Sequence, residues 1–336
     1  MKVGVVVKEH EFRVETRPEI SEVPDGWVLI DILAVGLCGT DYHILEGLHP
    51  FLEYPRVIGH ELSGRVAQAA PGWSVGDDVV INPYVSCGKC RPCQRGKPNC
   101  CMDIQVLGVH RDGGMADQLL VPSDNLYSAA GLPPLSAALV EFLAIGAHAV
   151  RRSDGAKGDR VLVTGVGPIG IGTALFARLL GMEVHLLDLS ETRLKMAQDR
   201  FGFHQTHRSI AEAIAATDGD GFDISFDATG HPKAIEAGFE TVAHGGSYVL
   251  VSVVKNDITF SDPAFHKREM RLIGSRNALK EDFDWVISSL QSGDIVAEKL
   301  QSAVLTLDAL ETRFADLAAD RADVIKVIVR MQNPDE

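Results

Sequence analysis

The sequence is poor in positive charge and in aromatic residues. It has 32 lysines and arginines against 46 aspartates and glutamates, which gives a formal net charge of −14, and aromatic residues make up only 6%. Such an excess of negative charge repels phosphate backbones and anionic lipid headgroups. A basic stripe with interleaved aromatic residues, typical of nucleic-acid binding, is also missing. We therefore expect neither nucleic acid nor a membrane as a partner.

Export signals and membrane spans are missing as well. The first residues, MKVGVVVKEHEF, hold a short apolar run followed by charges, without a small-residue cleavage site. No apolar run approaches the roughly 20 residues that a membrane-spanning helix needs. These absences predict a cytoplasmic protein, in which thiols stay reduced.

Cysteine is scarce outside one loop. Five of the six cysteines lie in CGKCRPCQRGKPNCC, residues 87–101, and only Cys38 stands apart. An odd number of thiols in a reducing compartment argues against disulfides, whereas the spacing suits four thiolates around one structural zinc ion. The predicted ligands are Cys87, Cys90, Cys93 and Cys101. Cys100 is the spare, because adjacent residues rarely both reach one ion. A redox-active or incidental cluster is the alternative.

The pattern of elements changes along the chain, which at 336 residues is long enough for two domains. The first 60 or so residues carry valine-rich runs between turns, such as VGVVV and GWVLIDILAVG, and predict an irregular β lobe. From about Arg160, strands alternate with helices, beginning with RVLVTG, PIGIGTALFARLLG and EVHLLD. This alternation predicts a parallel sheet with both faces covered. From about Glu281 a helix and the short strand VIKVIVRM complete the chain.

The first strand–helix turn carries the glycine pattern GVGPIG, and the next strand ends at Asp188. In that context Gly165 allows a tight turn, Gly167 lets the backbone approach a pyrophosphate, and Gly170 lets helix and strand pack closely. The helix N-terminus offers N–H groups to the phosphates. Asp188 is expected to accept hydrogen bonds from the adenosine ribose and to repel a 2′-phosphate, which predicts NAD rather than NADP. A glycine turn without a ligand is the alternative.

The isolated cysteine has possible partners elsewhere in the sequence. Cys38 lies in VGLCGTDYH, His60 and Glu61 lie in GHELSG, and Glu141 lies in the apolar segment ALVEFLAIGAHAV. A carboxylate within an apolar run is costly unless it meets a cation. One thiolate, one imidazole and one or two carboxylates suit a zinc site with an open position for substrate. Each residue alone could be a core or ion-pair residue; together, beside a dinucleotide motif, they predict a catalytic site.

These motifs resemble those of the zinc-dependent medium-chain dehydrogenases, the superfamily of alcohol, sorbitol and threonine dehydrogenases. The matching segments are Cys38-Gly39-Thr40-Asp41 with His43, Gly59-His60-Glu61, the four-cysteine loop, Gly165 to Gly170, and Asp188. The resemblance covers essentially the whole chain and implies an α/β protein of two domains. A GroES-like irregular β catalytic domain is expected at 1–145 and 282–336, and a doubly wound Rossmann domain at 146–281. Cofactor and zinc would meet in the cleft between them.

The resemblance also implies roles for individual residues. Cys38 and His60 match ligands of the catalytic zinc, and Glu61 and Glu141 match carboxylates that complete its shell, although Phe142 stands where the family usually has proline. Zinc would lower the pKa of a substrate hydroxyl, and hydride would pass to the nicotinamide. Thr40 and His43 would carry the proton away, unless they are merely turn and surface residues. The expected cofactor contacts are Gly165, Gly167, Pro168, Ile169, Gly170, Asp188, Arg193 and Val253.

Two further segments, GVHRDGG and FSDPAFHKREMRLIGSRNA, resemble bacterial L-galactonate oxidoreductases. That likeness implies oxidation of a secondary hydroxyl of a sugar acid to a keto acid. An anionic substrate needs local cations on an acidic protein. The candidate substrate residues are His110, Arg111, Lys255, Arg276 and Asn277. These side chains could instead face solvent or contact the coenzyme.

Other readings remain open at the level of sequence. Within enzymes, the substrate could be a polyol or L-threonine. A zinc-ribbon binding module and a zinc-free relative that serves as a binding protein are alternatives from another class, which the acidic composition and the set of Cys38, His60 and Glu61 disfavour. The expected cofactors are NAD and two zinc ions per chain, one catalytic and one structural. By analogy with relatives we expect a homo-oligomer, a dimer or a tetramer.

Overall fold

The structure is a computed structural model that describes residues 1–48, 53–321 and 323–332. The chain divides into two compact units. Met1–Glu141, Leu279–Arg321 and the stretch from Ile325 form the first unit, and Phe142–Ala278 forms the second. The first unit is therefore discontinuous in sequence. Its boundaries fall at 141/142 and 278/279, four and three residues earlier than the boundaries predicted from the sequence, 145/146 and 281/282.

Strands dominate the first unit and alternate with helices in the second. In chain order the strands are β1 (Lys2–Lys8), β2 (Glu11–Thr16), β3 (Trp27–Leu37), β4 (Arg56–Val57), β5 (Glu61–Val66), β6 (Asp78–Ile81), β7 (Tyr84–Val85), β8 (Gln105–Val106), β9 (Gln118–Pro122), β10 (Leu126–Ser128), β11 (Arg160–Thr164), β12 (Glu183–Leu187), β13 (Thr206–His207), β14 (Phe222–Asp227), β15 (Val242–Leu250), β16 (Arg271–Gly274), β17 (Gln301–Thr306) and β18 (Lys326–Arg330).

The helices range from one turn to thirteen residues. They are α1 (Gly39–Leu45), α2 (Arg91–Gln94), α3 (Pro134–Ala137), α4 (Val140–Arg152), α5 (Pro168–Leu179), α6 (Glu191–Phe201), α7 (Ile210–Ala215), α8 (Pro232–Gly238), α9 (Asp262–Lys267), α10 (Lys280–Gln291) and α11 (Leu307–Ala319). Short 3-10 helices occur at Pro98–Cys100, Ser123–Asn125, Phe239–Thr241 and Ala297–Lys299.

The main sheet of the first unit brings distant parts of the chain side by side. Its strand order is β10-β6-β5-β3-β18-β17, with β9 also paired to β3. In this sheet Gly36 of β3 lies opposite Glu61 of β5 on one side and Ile328 of β18 on the other. The end of β3, the start of β5 and the start of β18 therefore meet at one end of the sheet. A smaller sheet has the order β2-β1-β4.

The second unit contains a six-stranded sheet among its described residues, and every pairing in it is parallel. The strand order β13-β12-β11-β14-β15-β16 is that of the doubly wound dinucleotide-binding fold. The central strand β11 is buried, with Val161, Leu162 and Val163 fully covered. Such all-apolar strands are expected where helices cover both faces of a sheet.

One helical stretch comes closer to a membrane span than the sequence predicted. Pro134–Arg152 is long and apolar enough, by length and composition, to cross a membrane. However, 78% of its apolar window is buried inside the protein. That degree of burial is typical of a core helix, in which the apolar residues contact other parts of the protein.

Candidate active site

Three of the predicted catalytic ligands converge at the end of the main sheet. Cys38 follows β3 and caps the N-terminus of α1, while His60 and Glu61 lie at the start of β5, the neighbouring strand. One ligand atom from each of these three residues lies within 4.8 Å of the others. We call these residues the mixed cluster. His60 and Glu61 are 6% and 0% exposed, whereas Cys38 is half-buried, so the cluster has a buried side and an accessible side.

The mixed cluster fits a zinc ion, because two of its buried polar atoms make no hydrogen bond in the described residues. Within residues 1–48, 53–321 and 323–332, Nδ1 of His60 and Oε2 of Glu61 are buried and accept or donate no hydrogen bond. An unsatisfied buried polar atom is costly, and a bound cation would remove that cost. Thiolate, imidazole and carboxylate are the donors that zinc prefers, and a set of three leaves one tetrahedral position open.

Asp41 connects the two segments that carry the cluster. Its Oδ2 accepts a hydrogen bond from the backbone N–H of Cys38 at 2.8 Å, and its Oδ1 accepts one from Gly59 at 3.1 Å. The same Oδ1 lies 3.7 Å from Nδ1 of His60. Burial raises the pKa of Asp41, although His60 opposes that shift. Burial also disfavours protonation of His60, but Asp41 and Cys38 outweigh it and raise the pKa of His60.

The segment GVHRDGG forms a glycine-rich loop whose backbone packs against the residues just before His60. The backbone N–H groups of Gly113 and Gly114 donate to the carbonyl groups of Val57 and Gly59, at 2.8 and 3.0 Å. Gly108 has φ +76°, and a Cβ there would lie 2.7 Å from the carbonyl oxygen of Gly59. Only glycine allows this approach, so the loop fixes the turn that leads into the mixed cluster.

Two residues predicted to contact substrate have partners within this loop region. Nδ1 of His110 accepts a hydrogen bond from the backbone N–H of Val106 at 3.1 Å. The guanidinium of Arg111 stacks over the ring of Trp27, 4.9 Å from its centroid. The structure does not add either side chain to the mixed cluster. Both contacts stabilise the loop, which is a role that the sequence did not suggest.

Glu141 lies outside the mixed cluster and has its own partner. It is buried in the first turn of α4, and its Oε1 accepts a short hydrogen bond from the hydroxyl of Tyr84. Burial raises the pKa of Glu141 to about 7, against the opposing effect of His60. Burial and the nearby Glu141 carboxylate raise the pKa of Tyr84, which keeps the phenol protonated as a donor. Phe142, in place of the usual proline, is fully buried.

Thr40 and His43 lie on α1 beside the mixed cluster. The hydroxyl of Thr40 is 3.9 Å from Sγ of Cys38. His43 comes three residues later and is exposed. Residues three apart share one face of a helix, so Thr40 and His43 lie on the same face of α1, with Thr40 nearer to Cys38 and His43 at the surface.

The four predicted structural ligands form a second, separate cluster. The sulfur atoms of Cys87, Cys90, Cys93 and Cys101 all lie within 4.8 Å of one another. We call these residues the cysteine cluster. Sγ of Cys90 is 3.4 Å from Sγ of Cys93 and 3.8 Å from Sγ of Cys101. Tetrahedral zinc with bonds of about 2.3 Å requires sulfur–sulfur distances of about 3.8 Å, so the donor set fits.

Backbone N–H groups point at two sulfur atoms of the cysteine cluster. Sγ of Cys101 accepts from the N–H groups of Cys87 at 3.2 Å and Asp103 at 3.4 Å. Hydrogen bonding from the backbone of Met102 lowers the pKa of Cys90. Cys101 is buried whereas its neighbour Cys100 is exposed and outside the cluster.

The glycine turn in the second unit has the geometry of a phosphate cradle. Gly165 has φ +92°, and a Cβ on Gly170 would overlap its carbonyl oxygen. Gly167 caps α5, and the helix begins with Pro168, which has no N–H group, and Ile169, whose N–H group has no partner within the helix. A Cβ on Gly167 would meet nothing within 4 Å, so the space in front of the helix is open.

Asp188, which is predicted to bind the ribose, also accepts hydrogen bonds from the backbone of the glycine turn. Its Oδ2 accepts from the N–H of Val166 and its Oδ1 from the N–H of Ser190, both at 2.8 Å. Arg193 approaches the same carboxylate at 3.8 Å. A carboxylate has about four acceptor positions, so two remain for ribose hydroxyls. The bracing bond to Val166 was not evident from the sequence.

The remaining predicted residues lie along the strand ends of the second unit. Val253 and Lys255 follow β15, and Val253 is 93% exposed. Arg276 and Asn277 follow β16, where Asn277 has φ +54°. In an open parallel sheet the loops after the strands are where ligands bind, so their position is compatible with contact to a cofactor or substrate.

Two models of known families match the chain. The model described as "Alcohol dehydrogenase GroES-like domain" matches residues 24–131, and the model described as "Zinc-binding dehydrogenase" matches residues 168–292. L-galactonate-5-dehydrogenase of Escherichia coli is 38% identical over 318 residues, which are 92% of this chain and 94% of that protein. D-altritol 5-dehydrogenase of Agrobacterium fabrum is 32% identical, over 90% of this chain and 92% of that protein.

Solved structures match the fold over nearly its whole length. A crystal structure described as a short chain alcohol dehydrogenase from Escherichia coli, complexed with cofactor NADH, has a TM-score of 0.91 and 28% identity, and covers 98% of this chain and 99% of its own. A zinc-binding dehydrogenase from Sinorhizobium meliloti, bound to NADP, has a TM-score of 0.87 and 28% identity, with coverage of 98% and 99%.

The fold and the family matches together define a dehydrogenase with a GroES-like unit and a Rossmann unit. The chain belongs to the zinc-type medium-chain alcohol dehydrogenase family. It is therefore an oxidoreductase that uses zinc and a nicotinamide cofactor. The predicted family and fold class are confirmed.

Proposed function

We propose that this protein is an NAD-dependent dehydrogenase that oxidises a secondary hydroxyl of a sugar acid, an L-galactonate-like hexonate, to a keto acid. The mixed cluster, with two buried polar atoms that make no hydrogen bond in the described part of the chain, is the observation that supports the dehydrogenase chemistry. The substrate class is supported by the 38% identity to L-galactonate-5-dehydrogenase. In this reaction the alcohol loses one proton and one hydride, and NAD⁺ gains the hydride.

The mixed cluster is proposed to hold the catalytic zinc through Cys38, His60 and Glu61, with Glu141 nearby. When bound, zinc supplies a Lewis acid for a substrate hydroxyl, and the nicotinamide supplies the hydride acceptor. Asp41 holds the backbone at Cys38 and Gly59 in register, so the donors stay in place during turnover. Burial of His60 and Glu61 excludes water from the inner side of the site.

Thr40 and His43 are proposed to carry the substrate proton to solvent. The Thr40 hydroxyl lies beside the cluster and can both accept and donate a proton. His43 is exposed on the same helix face, and an imidazole ring can both accept and donate a proton. This pathway leads from the half-buried cysteine to the protein surface.

The cysteine cluster is proposed to hold a second, structural zinc ion. Four sulfur ligands close the tetrahedron, so substrate has no position there. The loop that carries these cysteines has little regular structure apart from α2 and one 3-10 helix. Zinc would therefore contribute to folding of the loop rather than to catalysis.

NAD is proposed as the cofactor rather than NADP because Asp188, directly after β12, is the residue that we expect to face the adenosine ribose. Its carboxylate can accept from two ribose hydroxyls and would repel a 2′-phosphate. Arg193, 3.8 Å away, reduces this repulsion but does not replace the carboxylate. His110, Arg111, Lys255, Arg276 and Asn277 remain our candidates for substrate contact. We also propose a homo-oligomer, a dimer or tetramer, which light scattering of the purified protein would test.

A screen of NADH formation tests the proposed function. L-galactonate, other hexonates, polyols and L-threonine are each supplied with NAD⁺ or NADP⁺, and kcat/KM is measured. We expect L-galactonate or another hexonate with NAD⁺ to give the highest value. Asp188→Asn should raise the NADP⁺/NAD⁺ ratio of kcat/KM, by about 10-fold if one charge repulsion is removed. A wild-type preference for NADP⁺ in kcat/KM would contradict the proposal that Asp188 repels the 2′-phosphate.

A polyol dehydrogenase is the second candidate, because D-altritol 5-dehydrogenase is 32% identical over most of the chain. Polyols carry no charge, so their recognition would not need a cation. The same screen separates the two: a kcat/KM that is higher for polyols than for every hexonate would replace our proposal by this alternative.

A further inference from the structure

Lys326 is a fully buried lysine next to the mixed cluster. It is the first residue of β18 and is 2% exposed. Its Nζ donates a hydrogen bond to Oε1 of Glu61 at 2.6 Å and another to the backbone carbonyl oxygen of Leu37 at 3.1 Å. Leu37 immediately precedes Cys38, so the ammonium group touches both segments that supply ligands.

Lys326 places the two oxygens of Glu61 in different environments. Oε1 is held by the ammonium group, whereas Oε2 is buried and has no hydrogen-bond partner in the described part of the chain. Gly36 lies opposite Glu61 across the sheet, and a Cβ at residue 36 would overlap Oε2. The absence of a side chain at Gly36 therefore gives Oε2 its space, and Lys326 determines which oxygen occupies it.

We propose that Lys326 is a positioning residue that holds Oε1 of Glu61, so that a cation in the mixed cluster receives one oxygen from this carboxylate and not two. Carboxylates bind metal ions through one oxygen or both. One sulfur, one nitrogen and one oxygen leave a tetrahedral position for a solvent or substrate oxygen, so a second carboxylate oxygen would be a fifth ligand. The inference rests on the proposed function, because it requires that the mixed cluster binds zinc.

A purely structural ion pair would behave differently from a positioning residue. If Lys326 only neutralised Glu61, its loss would lower the stability of the unit without changing the coordination of a bound metal. If Lys326 holds one oxygen away, its loss releases that oxygen to the metal. The two roles are therefore distinguished by the coordination number of the metal, a property that stability does not report.

The test replaces zinc by Co²⁺, whose visible absorption is much stronger with four ligands than with five. Cobalt per chain, the visible spectrum, kcat and KM are measured for the full-length protein, Lys326→Met and Lys326→Arg. For Lys326→Met we expect unchanged cobalt content, weaker absorption from the mixed cluster, and a kcat lowered by about 10-fold or more with little change in KM for NAD⁺. Lys326→Arg, which keeps the charge and the donor, should stay closer to the wild type in spectrum and kcat.

Two further variants complete the design. Lys280→Met is the matched control, because Lys280 is an exposed lysine of the same unit that pairs with Asp284. It should leave every reading unchanged. Gly36→Ala should remove an oxygen ligand, whereas Lys326→Met should add one. The new Cβ displaces Oε2 of Glu61, so the mixed cluster should lose cobalt while the cysteine cluster keeps it. This variant tests the arrangement even if Lys326→Met does not fold.

The outcomes separate this inference from the proposed function. An unchanged cobalt spectrum and a kcat within about twofold of the wild type in Lys326→Met would overturn the role of Lys326 and leave the proposed function intact. Unchanged cobalt binding in Gly36→Ala would also contradict the inference. If the wild-type protein bound cobalt only at the cysteine cluster, both the proposed function and the inference would fail.

Discussion

Individual side chains around the mixed cluster differ in how far the sequence reveals them. Cys38, His60 and Glu61 were predicted because their chemical types suit zinc and they stand near a dinucleotide motif. Lys326 was not, since its partner Glu61 is 265 residues away in the chain and only the sheet brings them together. Tyr84 and Glu141 were missed as a pair for the same reason. Contacts across strands depend on register, which the sequence does not display.

Asp41 should be essential for metal retention although it is not a ligand in the cluster. Asp41→Asn keeps the side-chain shape but places an amide against backbone N–H groups at Cys38 or Gly59, which need acceptors. We expect metal affinity of the mixed cluster or kcat/KM to fall by about 10- to 100-fold. Zinc content after dialysis and steady-state kinetics measure the effect.

Asp78→Asn is the matched control for that substitution. Asp78 is in the same unit but pairs with Arg65 at the surface. Its replacement should change neither zinc content nor kcat/KM. If Asp41→Asn kept both at wild-type values, Asp41 would have no part in holding the cluster.

Secondary-structure elements were the most predictable level. The strand RVLVTG, the glycine turn and the helix that follows appear as β11, the cap at Gly167 and α5. Gly202 ends α6 in the left-handed conformation, as glycine at a helix end favours. The substrate role predicted for the segment GVHRDGG stays a prediction, and the structure shows in addition that its backbone packs against Gly59. Backbone packing leaves little signal in residue type beyond the glycines.

Strands β12 and β13 carry a pair of buried histidines that should make stability depend on pH. Nδ1 of His185 and Nε2 of His207 are 2.9 Å apart, so one ring donates and the other accepts. Burial, and then His185, lower the pKa of His207, while Glu212 opposes the shift and Glu183 faces the other side of His185.

Since the folded pKa of His207 lies below its ordinary value of 6.5, the unfolded chain binds more protons between the two values. Stability is therefore present above about pH 6.5 and is lost as the pH falls from there toward the folded pKa. His207→Gln, which can keep a hydrogen bond but does not titrate, should reduce the loss between pH 7 and pH 5. Urea unfolding at both values checks this; an equal loss in the variant and the wild type would contradict it.

The cysteine loop should lose stability when a ligand is removed and not when its neighbour is changed. Cys101 is buried in the cluster and Cys100 is exposed outside it. We expect Cys101→Ser to lower the Tm by roughly 5 °C or more, given about 2–4 °C per kcal/mol in a domain of this size. Cys100→Ser should leave the Tm unchanged. Differential scanning calorimetry measures both variants. A lower Tm for Cys100→Ser than for Cys101→Ser would mean that Cys100, and not Cys101, is the zinc ligand.

At the scale of the whole molecule, the chain builds one unit from two distant segments. Strand β18, near the end of the chain, pairs with both β3 and β17 in the main sheet of the first unit. The family resemblance predicted this discontinuous organisation, whereas the pattern of residues alone showed only a change from β-type runs to alternating elements. The parallel pairing of the strands in the second unit follows from that alternation, because parallel strands need crossover connections.

The central claim is that the protein has two separate metal centres, and that the one at Cys38, His60 and Glu61 performs the oxidation. Its most direct test is zinc per chain by native mass spectrometry, together with NADH formation, for the wild type and Cys38→Ala. We predict two zinc ions for the wild type, and one zinc ion with no NADH formation for Cys38→Ala. Two zinc ions and undiminished NADH formation in Cys38→Ala would contradict the account.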